Sequence, residues 1–392
     1  MRGRKKNWVM NQKKILLLGA GNAQIDAIEY CKKRNWEVIG CSYTAGDKGI
    51  PLLDHFEQVD IKDVAGVKRL AEKYQVNAVY SIGSDLAMPT AMKVSELLSL
   101  PHFVSAKTAE ICHEKHLLRE TLGRDFVGNE EYLVCSTLEE ALQFQRYPGM
   151  MKPVDSQGQR GCFRVDCAED IRLRFGNSLE YSKEGKIILE PYVEGPEISV
   201  NTYFQNGTLR FAVVSDRITF SEFPGGIIKE HRVPSLFMGT EAEKEALDLA
   251  RRIAEKLELR DGPCYYQMKV DENCHPIILE VTPRLDGCHM WNLIRHYCGV
   301  NLLDACFSHL MEQKEVLIDP VNFPKEEYQL KFLCGESEKL FNREDYDCTG
   351  AEYIFWYYET GDRVKKLNGY MEKGGYLIRK RESLNQERRE KR

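Results

Sequence analysis

Two neighbouring runs constrain this chain more than any other feature. They are Gly262-Pro-Cys-Tyr-Tyr-Gln-Met-Lys-Val-Asp271 and Pro276-Ile-Ile-Leu-Glu-Val-Thr-Pro-Arg284, joined by the polar segment Asp271-Glu-Asn-Cys-His275. Aromatic and β-branched runs around a turn sequence predict a β-hairpin. Side chains alternate along a strand and cross-strand neighbours sit about 5 Å apart. Gln267, midway along the first strand, and Glu280, near the end of the second, are therefore expected side by side on one face. Thr282 and Arg284 follow at two-residue steps and point the same way. That face offers an amide oxygen, a carboxylate, a hydroxyl and a guanidinium. Hard oxygens suit Mg²⁺, which fills its shell with phosphate oxygens, and an adjacent arginine suits phosphate. The pattern predicts a Mg–nucleotide site; an ordinary surface hairpin with a charged edge is the plainer alternative.

Upstream, Met150-Met-Lys152-Pro ends an apolar run and leads into Asp155-Ser-Gln-Gly-Gln-Arg-Gly161. A strand that delivers a lysine into a loop with Gly158 and Gly161 can lay backbone N–H groups and one ammonium on a phosphate chain. It is not a P-loop, because Gly-x-x-x-x-Gly-Lys-Ser/Thr is absent. Then comes Lys186-Ile-Ile-Leu-Glu190-Pro-Tyr-Val-Glu-Gly-Pro-Glu197-Ile-Ser-Val. An apolar strand ends at Glu190, a connection with Pro and Gly follows, and a second strand starts at Glu197. This is the pattern of a hinge between two lobes, with a carboxylate on each side.

The order of these pieces resembles the ATP-grasp superfamily, in particular the branch near the carbamoyl-phosphate synthetase large subunit and the carboxylate–amine ligases, over roughly residues 14–310. The resemblance implies an α/β and α+β architecture. It would comprise a Rossmann-like parallel sheet at 1–105, a linking helix at 106–125, a small lid lobe at 126–189, a larger antiparallel grasp lobe at 190–313, and a small β-rich region with a frayed charged tail at 314–392. It also implies roles. Lys115 and Lys152 would flank the phosphates under a lid loop from Ser156 through Gly158 to Gly161. Glu190 would lie near the adenine amino group, Val193 would supply the hinge backbone contact, and Glu197 would hold the ribose. Gln267 and Glu280 would ligate Mg²⁺ (or Mn²⁺), and Arg284 would steady the transferred phosphoryl group. One departure stands out: the family's Glu-x-Asn-x-Arg reads Glu280-Val-Thr282-Pro-Arg284 here. Thr282 offers a neutral hydroxyl in place of an amide oxygen, which puts the second metal ligand in doubt.

Near the amino terminus, Lys14-Ile-Leu-Leu-Leu18, Trp36-Glu-Val-Ile-Gly-Cys-Ser42 and Ala78-Val-Tyr-Ser-Ile82 read as buried strands alternating with helices, hence a parallel sheet. Gly19-x-Gly21 hints at dinucleotide binding, but Gln24 stands where the third glycine belongs and no acidic partner follows the second strand. Asp85 lies at the carboxyl end of a strand, where it suits a substrate contact or, more simply, a helix N-cap. A second polar cluster, Lys229-Glu-His231-Arg-Val-Pro-Ser235, is in a segment that approaches nucleotide and acceptor in the family. His231 is assigned to the nucleotide, and Arg232 to phosphate or a substrate carboxylate. Asp286, His289 and Asn292 follow Arg284 and would line the acceptor pocket, or else form a helix-capping turn.

A length of 392 residues predicts two to four lobes. A net charge of −5 gives no reason to expect nucleic-acid binding. The thirteen cysteines contain no Cys-x-x-Cys pair and mostly lie in apolar runs, which predicts free thiols in a reducing cytoplasm. The basic first ten residues lack the apolar run of a signal peptide, and no run of about 18 apolar residues suggests a membrane span. After residue 320, short aromatic strands with charged turns suggest an appendage that covers the site or forms a homodimer contact. The expected activity is ATP- and Mg-dependent: a small-molecule carboxylate is activated as an acylphosphate and joined to an amine. A bicarbonate-activating enzyme and a non-catalytic nucleotide-binding regulator are the alternatives.

Overall fold

The computed structural model describes residues 12–156, 160–221, 227–316, 318, 323–365 and 371–381. Its amino-terminal unit is β1 (Lys14–Leu18), α1 (Asn22–Lys33), β2 (Glu37–Ser42), β3 (His55–Gln58), α2 (Val64–Tyr74), β4 (Ala78–Tyr80) and α3 (Met88–Leu97). Its four strands are parallel in the order β3-β2-β1-β4. The all-apolar Ile-Leu-Leu-Leu of β1 is buried on both faces, as the central strand of a helix-covered sheet must be. Strand β3, His-Phe-Glu-Gln, carries no hydrophobic pattern that would announce it; it is an edge strand and half exposed.

The linking segment is two helices rather than one. Helix α4 (Ala106–His113) stops at Glu114, whose ψ of 114° is extended, and α5 (Lys115–Leu122) restarts at once. Lys115 is thereby the first residue of a helix and faces the lid. The lid is β5 (Leu133–Cys135), α6 (Leu138–Ala141), β6 (Gly149–Pro153), β7 (Phe163–Val165), α7 (Ala168–Leu179) and β8 (Ile187–Pro191). Its antiparallel sheet has the order β5-β8-β6-β7 and its own small core, including Phe144, Met151, Ile171, Phe175 and Leu189.

The remaining elements are β9 (Glu197–Gln205), β10 (Thr208–Thr219), β11 (Ile228–Val233), α8 (Glu241–Lys256), β12 (Gly262–Val270), β13 (Pro276–Thr282), α9 (Met290–Cys298), α10 (Leu302–Glu312), β14 (Glu327–Glu336), β15 (Ala351–Trp356) and β16 (Met371–Arg381). They form one eight-stranded antiparallel sheet, order β13-β12-β9-β10-β11-β14-β16-β15. The three strands after residue 320 are thus not set apart: β14 pairs with β11 and extends the grasp sheet. Helix α8, capped by the Thr240 side chain and apolar along one face, packs on the back of this sheet.

The amino-terminal unit and the grasp lobe share a single continuous core. They also touch backbone to backbone. A Cβ on Gly83 would come within 2.9 Å of the Gly287 Cα, so only glycine allows the β4 loop to lie on the loop that follows β13. No described helix is long and apolar enough to cross a membrane.

Candidate active site

The hairpin forms with the expected register. Gln267 is directly opposite Glu280, and Tyr265 is opposite Thr282. The turn closes through the Asp271 side chain, which accepts from the Asn273 and His275 backbones at 2.9 and 2.8 Å. The Gln267 amide nitrogen donates to Glu197 Oε2 at 3.0 Å, which leaves the amide oxygen for another partner. Glu280 is exposed to the cleft and Thr282 is buried at its floor. An amide oxygen, a carboxylate and a hydroxyl on one face are a donor set that fits a hard divalent cation.

Lys152 on β6 is diagonal to Glu190 of β8, whose direct partner is Met150, and the Lys152 and Glu190 side chains form an ion pair. The other Glu190 oxygen accepts from Arg119 Nε of α5 at 2.6 Å. Arg119, only 2% exposed, also donates to Asn129 Oδ1 at 2.9 Å. Burial alone would raise the Glu190 carboxyl pKa. The charges of Arg119 and Lys152 and their hydrogen bonds outweigh burial and hold it at about 2. Both carboxylate oxygens of the residue assigned to adenine are therefore already engaged. Lys115 donates to the Ser156 carbonyl at 2.7 Å and so ties α5 to the start of the lid loop. Gly158 lies outside the described residues. Gly161 has φ of +72° and its carbonyl accepts from Ser178 Oγ at 2.8 Å; a Cβ there would meet the Pro153 ring at 2.8 Å. The thiol of neighbouring Cys162 is raised by burial while feeling Lys152, Lys115, Glu280 and Glu190 together. The two lid-side lysines and the hairpin carboxylate thus all lie near this one thiol.

Val193 lies in the connection between the lobes, where its carbonyl accepts from Lys269 Nζ at 2.9 Å. Glu197 opens β9, and its Oε2 is shared by Gln267 and Arg217 of β10. Reading straight across the sheet, Lys269, Glu197, Arg217, His231 and Leu330 stand in one row. His231, assigned to the nucleotide, is accordingly two strands beyond Glu197. It is fully buried and neither ring nitrogen has a hydrogen-bond partner among the described residues. Burial, with Arg217 and Lys373 nearby, depresses its pKa well below the ordinary range and keeps it neutral. Its Nε2 is 3.9 Å from Asp286 Oδ2, itself without a hydrogen-bond partner among the described residues. Cys288 completes a compact His–Asp–Cys trio. Its thiol pKa is raised by burial, and its sulfur accepts from Lys373 Nζ of β16 at 3.5 Å. With Arg217 and Lys373 beside it, this trio suits an anionic or zwitterionic organic group better than a metal cation. Arg232 faces the other side of β11 and pairs with Glu230.

Arg284 is buried, donates to the Leu285 carbonyl at 2.9 Å, and pairs with Asp85. The N-cap reading of Asp85 fails: α3 begins after Ala87 without a side-chain cap. Arg284 Nε is buried with no partner among the described residues, a donor left over for an anion. His289 heads α9 in the left-handed region, φ +58°. Its Nδ1 donates to Asp26 Oδ2 at 2.7 Å, its Nε2 is 2.6 Å from the Tyr357 hydroxyl, and its ring stacks on Tyr376 at 4.3 Å. Asn292 donates to the Tyr376 hydroxyl at 3.1 Å. Asp286 caps the turn locally through the Cys288 N–H at 3.1 Å.

Arg119, Arg217 and Lys373 were not singled out from the sequence. The available signal was slight: each is a basic residue in an otherwise ordinary amphipathic run.

This architecture is the ATP-grasp fold: a Rossmann-like unit, a lid and a large antiparallel grasp sheet around one cleft. Residues 145–291 match the ATP-grasp domain family, so the chain carries an ATP-grasp domain. The solved structure of an L-amino acid ligase from Bacillus licheniformis superimposes with a TM-score of 0.78 at 17% identity, covering 97% of this chain and 95% of that one. An ATP-grasp enzyme, fsqD, of Aspergillus fumigatus is 24% identical over 188 residues, which is 44% of this chain and 32% of the relative. A formate-dependent phosphoribosylglycinamide formyltransferase of Prochlorococcus marinus is 26% identical over 196 residues, 46% of this chain and 48% of the relative. The aligned part is thus only 32% and 48% of the length of these two curated relatives.

Proposed function

We propose that the chain joins a small-molecule carboxylate to an amine at the expense of ATP, releasing ADP and phosphate. What supports this reading is the hairpin, where Gln267 stands opposite Glu280, with Lys115, Lys152 and Glu280 all close enough to act on the Cys162 thiol. Phosphoryl transfer needs alignment and charge neutralisation more than covalent catalysis. The two lysines and the spare Arg284 donor meet the negative phosphate chain, while Glu197 faces the ribose. Gln267 and Glu280, with Thr282 beneath them, would hold Mg²⁺, which neutralises phosphate charge when bound.

The substrate carboxylate attacks the γ-phosphorus and ADP leaves. The amine then attacks the acyl carbon of the acylphosphate and phosphate leaves. Acylphosphates hydrolyse readily, and lid closure over the cleft excludes water. The pocket of Arg217, His231, Asp286 and Lys373 receives the acceptor: its cations suit a carboxylate, and the free Asp286 oxygen suits an amine. The thirteen free thiols favour the cytoplasm as the place of action.

The test is hydroxylamine trapping with Mg–ATP and a panel of carboxylates. A hydroxamate formed with stoichiometric ADP is expected. Pyrophosphate release would overturn both the mechanism and the orientation of ATP, because adenylating sites place their charge at the α-phosphorus.

A further inference from the structure

Asp26, which anchors His289, also lines a second cleft. The cleft measures about 210 Å³ and lies between α1 and α9, with Tyr353 also in its lining. That is well above the roughly 10–15 Å³ one water molecule needs. On α1, Asp26, Glu29 and Lys33 share one helix face; on α9, Trp291 and Arg295 are one turn apart and share another. Two helices therefore present an acidic and a basic wall to the same space.

Three groups in these walls can take a ligand, and one of them, the Trp291 indole, has no partner among the described residues. Asp26 is 8% exposed, and the hydrogen bond it receives from His289 leaves a buried carboxylate without a Lys or Arg partner among the described residues. Trp291 is 7% exposed, and its buried indole N–H has no acceptor among the described residues. Arg295 has no ion-pair partner among the described residues, whereas Glu29 is paired with Lys33 at 3.6 Å. A bare anion would meet Arg295 but face Asp26 across the cleft. A bare cation would leave the arginine and the indole unserved. One molecule with a cationic head and an anionic tail serves all three.

We propose that this cleft binds a small zwitterion of the α-amino-acid type, its ammonium against Asp26 and its carboxylate against Arg295 and the Trp291 indole. Asn292 lines this cleft too and, with His289, links it to Tyr376 beside the acceptor pocket. A bound ammonium competes with His289 for Asp26, so occupancy is felt by the residue that heads α9 and closes the loop from Arg284.

Calorimetric titration of the full chain, without nucleotide, tests this with each proteinogenic L-α-amino acid and with propionate and propylamine as the two half-ligands. At least one amino acid is expected to bind saturably at millimolar concentration or below, and both halves far more weakly. Arg295→Ala, an exposed substitution, should weaken that binding about tenfold or more and leave Mg–ATP affinity unchanged. Trp291→Phe, which keeps an aromatic ring but removes the N–H, should weaken it a few-fold. Lys373→Ala, in the acceptor pocket, should not affect it. Binding that is lost in Lys373→Ala but kept in Arg295→Ala would put the amino acid in the acceptor pocket and overturn the proposal. So would propionate binding as tightly as any amino acid, or no saturable binding by any of them.

Discussion

Glu190 and Glu197 flank the same short connection and face the same cleft, yet they are held differently. Glu190 is fully buried, and each of its oxygens has a cation of its own, Arg119 on one and Lys152 on the other. Glu197 is partly exposed, and both of its contacts, Arg217 and Gln267, go to Oε2. The first arrangement is closed: it fixes Lys152 and ties the lid sheet to α5. The second is open, with one oxygen left for a ligand. Two carboxylates that look equivalent in sequence thus divide into a strut and a contact.

The largest effect should come from breaking the strut. Glu190→Gln leaves Arg119 buried without a counter-charge, which costs about 3–5 kcal/mol, to be read from urea unfolding. Glu197→Gln should cost no more than about 1 kcal/mol; equal losses would erase the distinction. The same contrast has a pH signature. The Glu190 carboxyl titrates at about 2 in the fold, against 4.5 ordinarily. Its stabilisation, roughly 3 kcal/mol, is fully present above pH 4.5 and is lost as pH falls from 4.5 towards 2. Glu190→Gln should remove that acid-side slope.

Glu280 sharpens the comparison as a carboxylate with no structural task. Because it is exposed, Glu280→Gln should leave the unfolding midpoint unchanged and lower Mg-dependent turnover by about 100-fold, while Thr282→Ala does less. Near-normal turnover of the Gln variant would place the cation elsewhere. Lys152→Ala should weaken nucleotide binding by about 10–100-fold through loss of a charge-assisted phosphate contact. Arg119 still holds Glu190 in that variant, so calorimetry on a folded protein is feasible.

The smallest effect concerns Glu114, where α4 breaks into α5. Burial first, then Glu184 and Asp155, push its carboxyl up to about 7, against the pull of Lys115. A raised carboxyl pKa means the fold loses stability as pH rises from 4.5 to 7. Glu114→Gln should therefore stabilise at pH 8 by about 1 kcal/mol, after allowance for solvent screening, and do nothing at pH 4. No difference between the two pH values would refute this.

What could be read from the sequence was what neighbouring residues decide. The pairing of Gln267 with Glu280 follows from alternation and a five-residue turn, and β1 from a run of four apolar residues. The break at Glu114 has no Gly or Pro to mark it. Arg119 reads as an ordinary helix residue because its partner Glu190 belongs to a strand of another lobe. Lys373 reaches Cys288 only because β16 joins the sheet through β14, a register that no local pattern encodes. Asp85 looked like a helix cap, but the buried guanidinium of Arg284 competes for it more strongly than the free N–H groups of α3.

The extension of the grasp sheet by β14 and β16 also sets an order of assembly during synthesis. Every residue assigned to the nucleotide, from Lys115 to Arg284, leaves the ribosome before β14 and β16 exist, and domains fold as they emerge. In that interval β11 is a raw strand edge, open to pairing with another chain, and the wall that holds Lys373 and Tyr376 is missing. A nascent chain therefore passes through a stage with its phosphate-facing half built and its acceptor half open. Ribosome-proximal chaperones would be expected to shield that edge until β16 closes it.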